Sequence, residues 1–121
     1  MEYIVHSSER GSINRLLPEG LTKTALVRYM RSCPVVLSAR TLLPDQFDPS
    51  AKHIPLAYCS DGVFIWSAET EEYIERYEMS VPENFLRHVA EYVAAHGEEP
   101  PQVQAELLHE ATEALKSGRF R

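Results

Sequence analysis

A cysteine lies just before an Asp-Gly pair, and chemistry could occur at this point of the sequence. Cys59 precedes Asp61 by two residues. A thiol beside an imidazole can act as a nucleophile, and paired carboxylates can serve a hydrolase as acid and base. Free cysteine is more often a small apolar core residue, and aspartate is favoured in turns for its own backbone hydrogen bonds. A small hydrolase with a carboxylate or Cys59 site beside the hairpin therefore stays an alternative interpretation.

Two histidine–glutamate pairs have the spacing of neighbours on a helix. His88 precedes Glu91 by three residues, and His109 precedes Glu113 by four. Each pair could supply two zinc ligands, but a zinc site needs three or four, and pairing on a helix surface is the better explanation. The sequence has no G-x-S-x-G, H-E-x-x-H, phosphate-binding glycine loop or C-x-x-C motif. We therefore predict no catalytic residues, no metal and no cofactor.

Charge is distributed unevenly along the chain. The 121 residues have a net charge of −6, from 12 Lys and Arg against 18 Asp and Glu. Residues 1–60 hold seven basic and five acidic side chains, a balance of +2, and residues 61–121 hold five basic and thirteen acidic, a balance of −8. This excess argues against direct binding to nucleic acid or to an anionic membrane, because both require basic side chains. A basic partner remains compatible with it.

The acidic excess is densest over residues 61–83, where seven carboxylates accompany one arginine, Arg76. A solvated helix face would explain this pattern. Carboxylates interspersed with tyrosines also suit a surface for a basic protein, because charges steer association and aromatic rings supply buried area. The predicted partner-binding residues are Asp61, Glu69, Glu71, Glu72, Tyr73, Glu75, Tyr77 and Glu78. Changing Glu71, Glu72 and Glu75 to lysine is expected to weaken binding by more than about tenfold.

Helical periodicity predicts the elements that must position these residues. Apolar side chains recur at helical spacing in four segments, which run from Thr22 to Pro34, Ser67 to Tyr77, Ser80 to Gly97 and Pro101 to Gly118. Ser67 is predicted to cap the second helix, and Ser80 with Glu83 to form a capping box for the third. The sequence predicts one α+β domain over residues 1–121: a small antiparallel sheet with a central hairpin, packed by about four helices.

The hairpin is expected at Asp61-Gly62, because a type I′ turn needs positive φ at both central residues and glycine adopts it without steric cost. Its strands are predicted near 56–60 and 63–66, with apolar side chains on both faces. Residues 35–39 are uncharged and begin with two β-branched valines, and they predict another short strand. Residues 43–55 hold three prolines without periodicity and are predicted to be a loop.

The hairpin and the helices after it resemble a group of small bacterial proteins. The matching residues are Ser60-Asp61-Gly62, Val63-Phe64-Ile65-Trp66, the spaced Tyr73 and Tyr77, and Pro82 through Phe85 to His88. The likeness spans about residues 22 to 115, and Phe64 stands where the group would have tryptophan. Proteins of this type are similar to immunity proteins of bacterial polymorphic toxins. The resemblance implies a protein that binds a toxin rather than an enzyme.

The leading interpretation is a cytoplasmic immunity protein that binds and neutralises a cognate toxin domain with a basic active-site cleft. Such a toxin would act on nucleic acid, and the immunity protein itself would bind neither nucleic acid nor membrane. The acidic surface would block the cleft by sterics and charge. Besides the hydrolase, a homo-oligomeric accessory protein whose exposed tyrosines pair with each other is a further alternative.

Overall fold

The computed structural model describes residues 1–118, and this part of the chain forms four strands and five helices. In chain order they are β1 (Glu2–Ile4), α1 (Ile13–Leu16), α2 (Lys23–Ser32), β2 (Val35–Asp45), β3 (Asp48–Ser60), β4 (Phe64–Ser67), α3 (Ala68–Tyr77), α4 (Glu83–His96) and α5 (Ala105–Lys116). The predicted α+β class is confirmed. Within residues 1–118, no helix is long and apolar enough to cross a membrane.

The four strands form one sheet in the order β1-β4-β3-β2. β2, β3 and β4 pair antiparallel, as predicted, but β1 lies parallel to β4, so that the sheet is mixed. Ile4 of β1 is aligned with Trp66 of β4. The parallel pairing of β1 was not predicted, because β1 joins its neighbour across about sixty residues of intervening chain, and no local pattern records such a pairing.

Residues 43–55 are strand rather than the predicted loop. β2 and β3 form a long hairpin whose tip lies between Asp45 and Asp48. Pro44 lies on the edge strand β2, and Pro49 and Pro55 lie on the part of β3 that β4 does not reach, since β4 pairs with β3 only from Tyr58 to Ser60. The ladder between β2 and β3 is also interrupted at several points. Proline has no N–H to donate, and it is found at such edges and irregularities.

The turn between β3 and β4 differs from the predicted type I′ turn. Gly62 has a φ of +93°, but Asp61 does not have positive φ. Instead, Asp61 Oδ1 accepts hydrogen bonds from the amides of Val63 at 3.0 Å and Phe64 at 2.7 Å. The aspartate side chain therefore organises a longer connection. A Cβ at position 62 would lie 3.1 Å from Leu107 Cδ1, which shows that α5 packs close to this turn.

The main core lies between the sheet, α2 and α4. Its largest fully buried members include Trp66 and Phe85, whose ring centroids are 5.3 Å apart. Phe64 packs in the same core, whereas Ile65 points to the opposite face of β4 and is also fully buried. The prediction of apolar groups on both faces of the hairpin is therefore confirmed. A second, smaller apolar cluster, formed by Ile54, Tyr73 and Met79, joins the long hairpin of β2 and β3 to α3.

Helix α2 is capped by Thr22, whose Oγ1 accepts a hydrogen bond from the Ala25 amide at 3.0 Å, a cap that was not predicted. The two predicted caps were wrong. Ser67 stands at the N-cap of α3 but its hydroxyl caps no helix amide, and α4 begins after Pro82 without a capping box. Ser80 is occupied elsewhere, because its amide donates to Ser12 Oγ at 3.0 Å and ties the N-terminal segment to the α3–α4 connection.

Candidate functional site

The Asp61 carboxylate joins the hairpin turn to α2 and α4. Its side chain is 1% exposed, and besides the two turn amides it accepts a hydrogen bond from the Tyr29 hydroxyl at 2.7 Å. His88 Nε2 lies 3.1 Å from the same carboxylate oxygen, Oδ2. Burial opposes ionisation of Asp61, but the hydrogen bonds from His88 and Tyr29 outweigh it and lower the pKa of the carboxyl group. Asp61 is therefore ionised, and both of its carboxylate oxygens are hydrogen-bonded.

The His88 side chain is the exposed member of this cluster. It is 33% exposed, and the hydrogen bond to Asp61 raises its pKa. A partly exposed imidazole beside a buried carboxylate can hold a proton, but all four groups bonded to Asp61 fix the turn: two are amides of the turn, and Tyr29 and His88 attach it to α2 and α4. The cluster fits a structural tie between three elements better than an acid–base site.

Both cysteines are buried thiols. Cys59 is 5% exposed, and burial raises its pKa to about 12. Cys33 is equally buried, its pKa is also raised by burial, and its Sγ lies 3.3 Å from the Tyr29 carbonyl oxygen. A thiolate is the nucleophilic form of cysteine, so thiols with such raised pKa values are poor nucleophiles at neutral pH. The geometry of Cys59 and Asp61 therefore does not assemble the hydrolase site proposed as an alternative.

Helix α3 holds most of the predicted partner-binding residues, and one of its glutamates faces inward. Glu71 is 6% exposed, and its Oε1 lies 3.3 Å from Trp66 Nε1. Burial raises the pKa of Glu71 to about 7. A buried carboxylate is not part of an exposed contact surface, and the lysine substitution suggested from the sequence would test folding at this position rather than binding.

The other carboxylates of α3 and its C-terminus have basic neighbours within the chain. Arg31 reaches Glu72 at 3.1 Å and also pairs with Glu75, while Arg76 lies 2.9 Å from Glu72. Glu78 lies 4.0 Å from Lys23 Nζ and accepts a hydrogen bond from Asn14. Glu69 lies 3.9 Å from His6 Nε2. The predicted acidic surface of α3 is therefore largely matched by cations of the same molecule.

The two predicted tyrosines belong to a cluster with the tip of the long hairpin. Tyr73 is 1% exposed and its hydroxyl accepts from the Gln46 amide, while the Tyr77 hydroxyl donates to Asp45 Oδ2 at 2.6 Å. The Arg10 guanidinium lies 4.2 Å from the Phe47 ring centroid and 4.7 Å from that of Tyr77. Both tyrosines therefore bond to the tip of the long hairpin, and Tyr73 is not among the exposed tyrosines that the oligomeric alternative invokes.

A buried pair formed by Asp45 and His53 was not predicted from the sequence. Asp45 is fully buried and lies 3.3 Å from His53 Nε2, and His53 Nδ1 is buried without a hydrogen-bond partner. The prolines in this stretch predicted a loop, and in a loop no pairing between Asp45 and His53 was expected. Within residues 1–118, no three His, Cys, Asp or Glu side chains come together in a way that could hold a metal ion.

A second acidic stretch was also overlooked. Residues 91–113 hold six glutamates and neither lysine nor arginine. Three of them, Glu106, Glu110 and Glu113, recur at helical spacing on α5 and are exposed; we call them the α5 acidic face. The part of the chain that the structure describes offers none of the three a cationic partner. On its other side α5 packs on β2, with Ala111 fully buried and Thr112 Oγ1 donating to the Val36 carbonyl oxygen at 3.1 Å.

Comparison of the chain with models of known protein families, with curated proteins and with solved structures finds no match. The fold and the chemistry of these surfaces are therefore the basis on which a function can be proposed.

Proposed function

We propose that this protein is an immunity protein that binds a cognate bacterial toxin domain with a basic cleft, and that the α5 acidic face contributes the main contact. The observation that supports this is the contrast between two acidic helices. Glu71 of α3 is buried, Glu72, Glu75 and the adjoining Glu78 pair with Lys23, Arg31 or Arg76, and Glu69 lies 3.9 Å from His6, whose pKa is lowered by burial. The carboxylates of the α5 acidic face are exposed, and no cation of residues 1–118 pairs with them.

Exposed, unpaired charge is the form of charge that attracts a partner. An ion pair within the chain already satisfies both groups, so that binding a second cation requires breaking the first pair. An unpaired carboxylate contributes its full field to the encounter and steers a basic partner toward it. Complementary charge of this kind raises the association rate and excludes partners of the wrong sign. The α5 acidic face meets this requirement better than α3 does.

The burial of the reactive side chains supports a binding role over an enzymatic one. The carboxylate of Asp61 is engaged by four donors and Cys59 is buried as a thiol, so both have structural functions. An inhibitor that occupies a cleft needs a rigid scaffold and a complementary surface, and the tie that Asp61 makes between three elements provides rigidity around the turn. Glu69, Glu72, Glu75 and Glu78, which retain some exposure, remain candidates for a secondary contact.

The test uses the gene directly upstream, which for an immunity protein encodes a large secreted protein with a variable C-terminal domain. That C-terminal domain is expressed in a bacterial host, alone and together with this protein. We expect growth to stop with the domain alone and to be restored by co-expression, and the purified pair to elute together from a sizing column. A toxic domain that is neither rescued nor bound by this protein would overturn the proposal.

A further inference from the structure

Glu71 is a carboxylate in the core with one hydrogen-bond donor in reach among the described residues. It lies in the first turn of α3, and its Oε1 faces the indole N–H of the fully buried Trp66 on β4 at 3.3 Å. Glutamate is almost never this buried unless a cation or several hydrogen bonds compensate its charge. A single long bond to a neutral indole compensates little of the cost of burying an ionised carboxylate.

The groups that face Glu71 from each neighbouring element leave it without a counter-charge. On α2, the Arg31 guanidinium is bonded to Glu72 and Glu75, and its attraction for Glu71 is therefore shared with two other carboxylates. Cys33, which follows α2, and Cys59 on β3 present neutral thiols. Glu72 on α3 itself adds a like charge. Among these neighbours, only Arg31 and the Trp66 indole favour the ionised form, and burial outweighs both of them.

Burial is the largest cause of the raised pKa of Glu71, which is about 7, and the Trp66 hydrogen bond and Arg31 oppose it only in part. The ordinary value for glutamate is 4.5. The folded state therefore binds the proton more tightly than the unfolded chain does. It follows that stability falls as pH rises from about 4.5 to about 7, and that the loss is complete above this range.

We propose that Glu71 is a proton-controlled latch that holds the start of α3 against β4: the neutral carboxyl group keeps the helix docked, and ionisation loosens it. An ionised Glu71 is stabilised by contact with water or with Arg31, and in this proposal it gains that contact as the first turn of α3 moves away from Trp66. Because α3 packs against α2, β3 and β4 and leads into the segment bonded to Ser12, such loosening would reach the N-terminal segment as well.

The protein contains a natural reporter for this titration, since Trp66 is its only tryptophan. We expect the Trp66 emission of the folded protein to change with a midpoint near pH 7, as the carboxylate charge beside the indole appears. The Glu71→Gln variant keeps an acceptor for the indole N–H and cannot ionise, so this change should be lost. Glu69→Gln, the same substitution two residues earlier on α3 at a partly exposed position, should retain it.

Stability and exchange measurements complete the test. Between about pH 5 and about pH 8, the Tm of the wild type should fall by several degrees relative to that of E71Q, because all other titrating groups are common to both proteins. At about pH 8, amide hydrogen exchange in α3 should be about tenfold faster in the wild type than in E71Q, with α4 unchanged.

Three results would each overturn the latch. They are an emission change that persists in E71Q, a Tm difference that does not depend on pH, or α3 exchange that is equal in the two proteins. Should E71Q fail to fold, the carbon-13 shift of the Glu71 carboxyl group in the wild type reports its titration directly. A midpoint below about 5 in that measurement would also contradict the proposal.

Discussion

Residues 61–83 and residues 91–113 carry the same net charge, but the fold places the two charges in different environments. The first stretch has seven carboxylates and Arg76, and the second has six glutamates with no lysine or arginine, so that each is −6. In the first, Asp61 and Glu71 are buried and the rest have basic neighbours. In the second, one ion pair is present among the described residues, between Glu98 and Arg28 at 3.2 Å. The comparison teaches that a run of acidic residues becomes an acidic surface only where no other element supplies cations.

The largest expected difference between the two stretches is in the stability that is lost when a glutamate is replaced by lysine. Glu71→Lys places an unpaired ammonium beside Trp66 in the core and should lower the free energy of unfolding by roughly 3–5 kcal/mol. Glu110→Lys changes the same charge on the exposed side of α5 and should stay within about 0.5 kcal/mol of the wild type. Urea denaturation followed by Trp66 fluorescence measures both. Equal effects of the two substitutions would show that Glu71 is not buried as described.

The second largest effect is expected at Asp61. Asp61→Ala removes the acceptor of the Tyr29 hydroxyl and of two turn amides and leaves His88 without its partner. We expect a loss of roughly 2–4 kcal/mol, because buried donors are left unsatisfied. The control is Asp48→Ala at the tip of the other hairpin, where an exposed aspartate bonds the Ser50 hydroxyl and the loss should be under about 1 kcal/mol. Comparable losses at the two turns would refute the role of Asp61 as a tie.

The elements that local pattern determines were predicted well. The periodicity of apolar residues located α2, α3, α4 and α5, and Thr22 marked the start of α2. Three features depend on contacts between distant residues and could not be predicted in this way. They are the parallel pairing of β1 with β4, the long hairpin of β2 and β3 with its three prolines, and the hydrogen bond from the Ser80 amide to Ser12 in place of the predicted capping box. In each case a tertiary contact overrides the local preference.

The sequence showed where acidic residues are concentrated, but it did not show which of them are exposed. Glu71 precedes Ile74 by three residues and so lies at the flank of the apolar stripe of α3, but its partner Trp66 is on a strand. Likewise, the cation Arg31 that pairs with Glu72 and Glu75 comes from α2, about forty residues away. The absence of lysine and arginine from residues 91–113 was visible in the sequence. It does not by itself show which of these glutamates are unpaired, because Arg28 of α2 reaches Glu98.

The smallest expected effect is the difference in stability between a variant that loses paired surface charges and one that loses unpaired surface charges. Glu72→Gln with Glu75→Gln removes the partners of Arg31 and should lower stability by about 0.5–1 kcal/mol, an effect that high salt diminishes. Glu106→Gln with Glu110→Gln removes two like charges four residues apart and should be neutral or stabilising by a few tenths of a kcal/mol. Thermal unfolding at low and high ionic strength measures both. A loss of stability in the α5 variant would reveal a cation partner for this face.

The central claim is that the α5 acidic face meets a basic partner, and two matched variants test it most directly. E106Q/E110Q/E113Q and E69Q/E75Q/E78Q each remove three negative charges without changing side-chain shape, so that the net charge changes equally from −6 to −3. Their association rates with the proposed partner, a toxin C-terminal domain encoded directly upstream, are compared by stopped-flow at low salt. We predict that the α5 variant binds at least about tenfold more slowly than the wild type and the α3 variant at most about threefold. Equal slowing, or a larger effect of the α3 variant, would contradict the account.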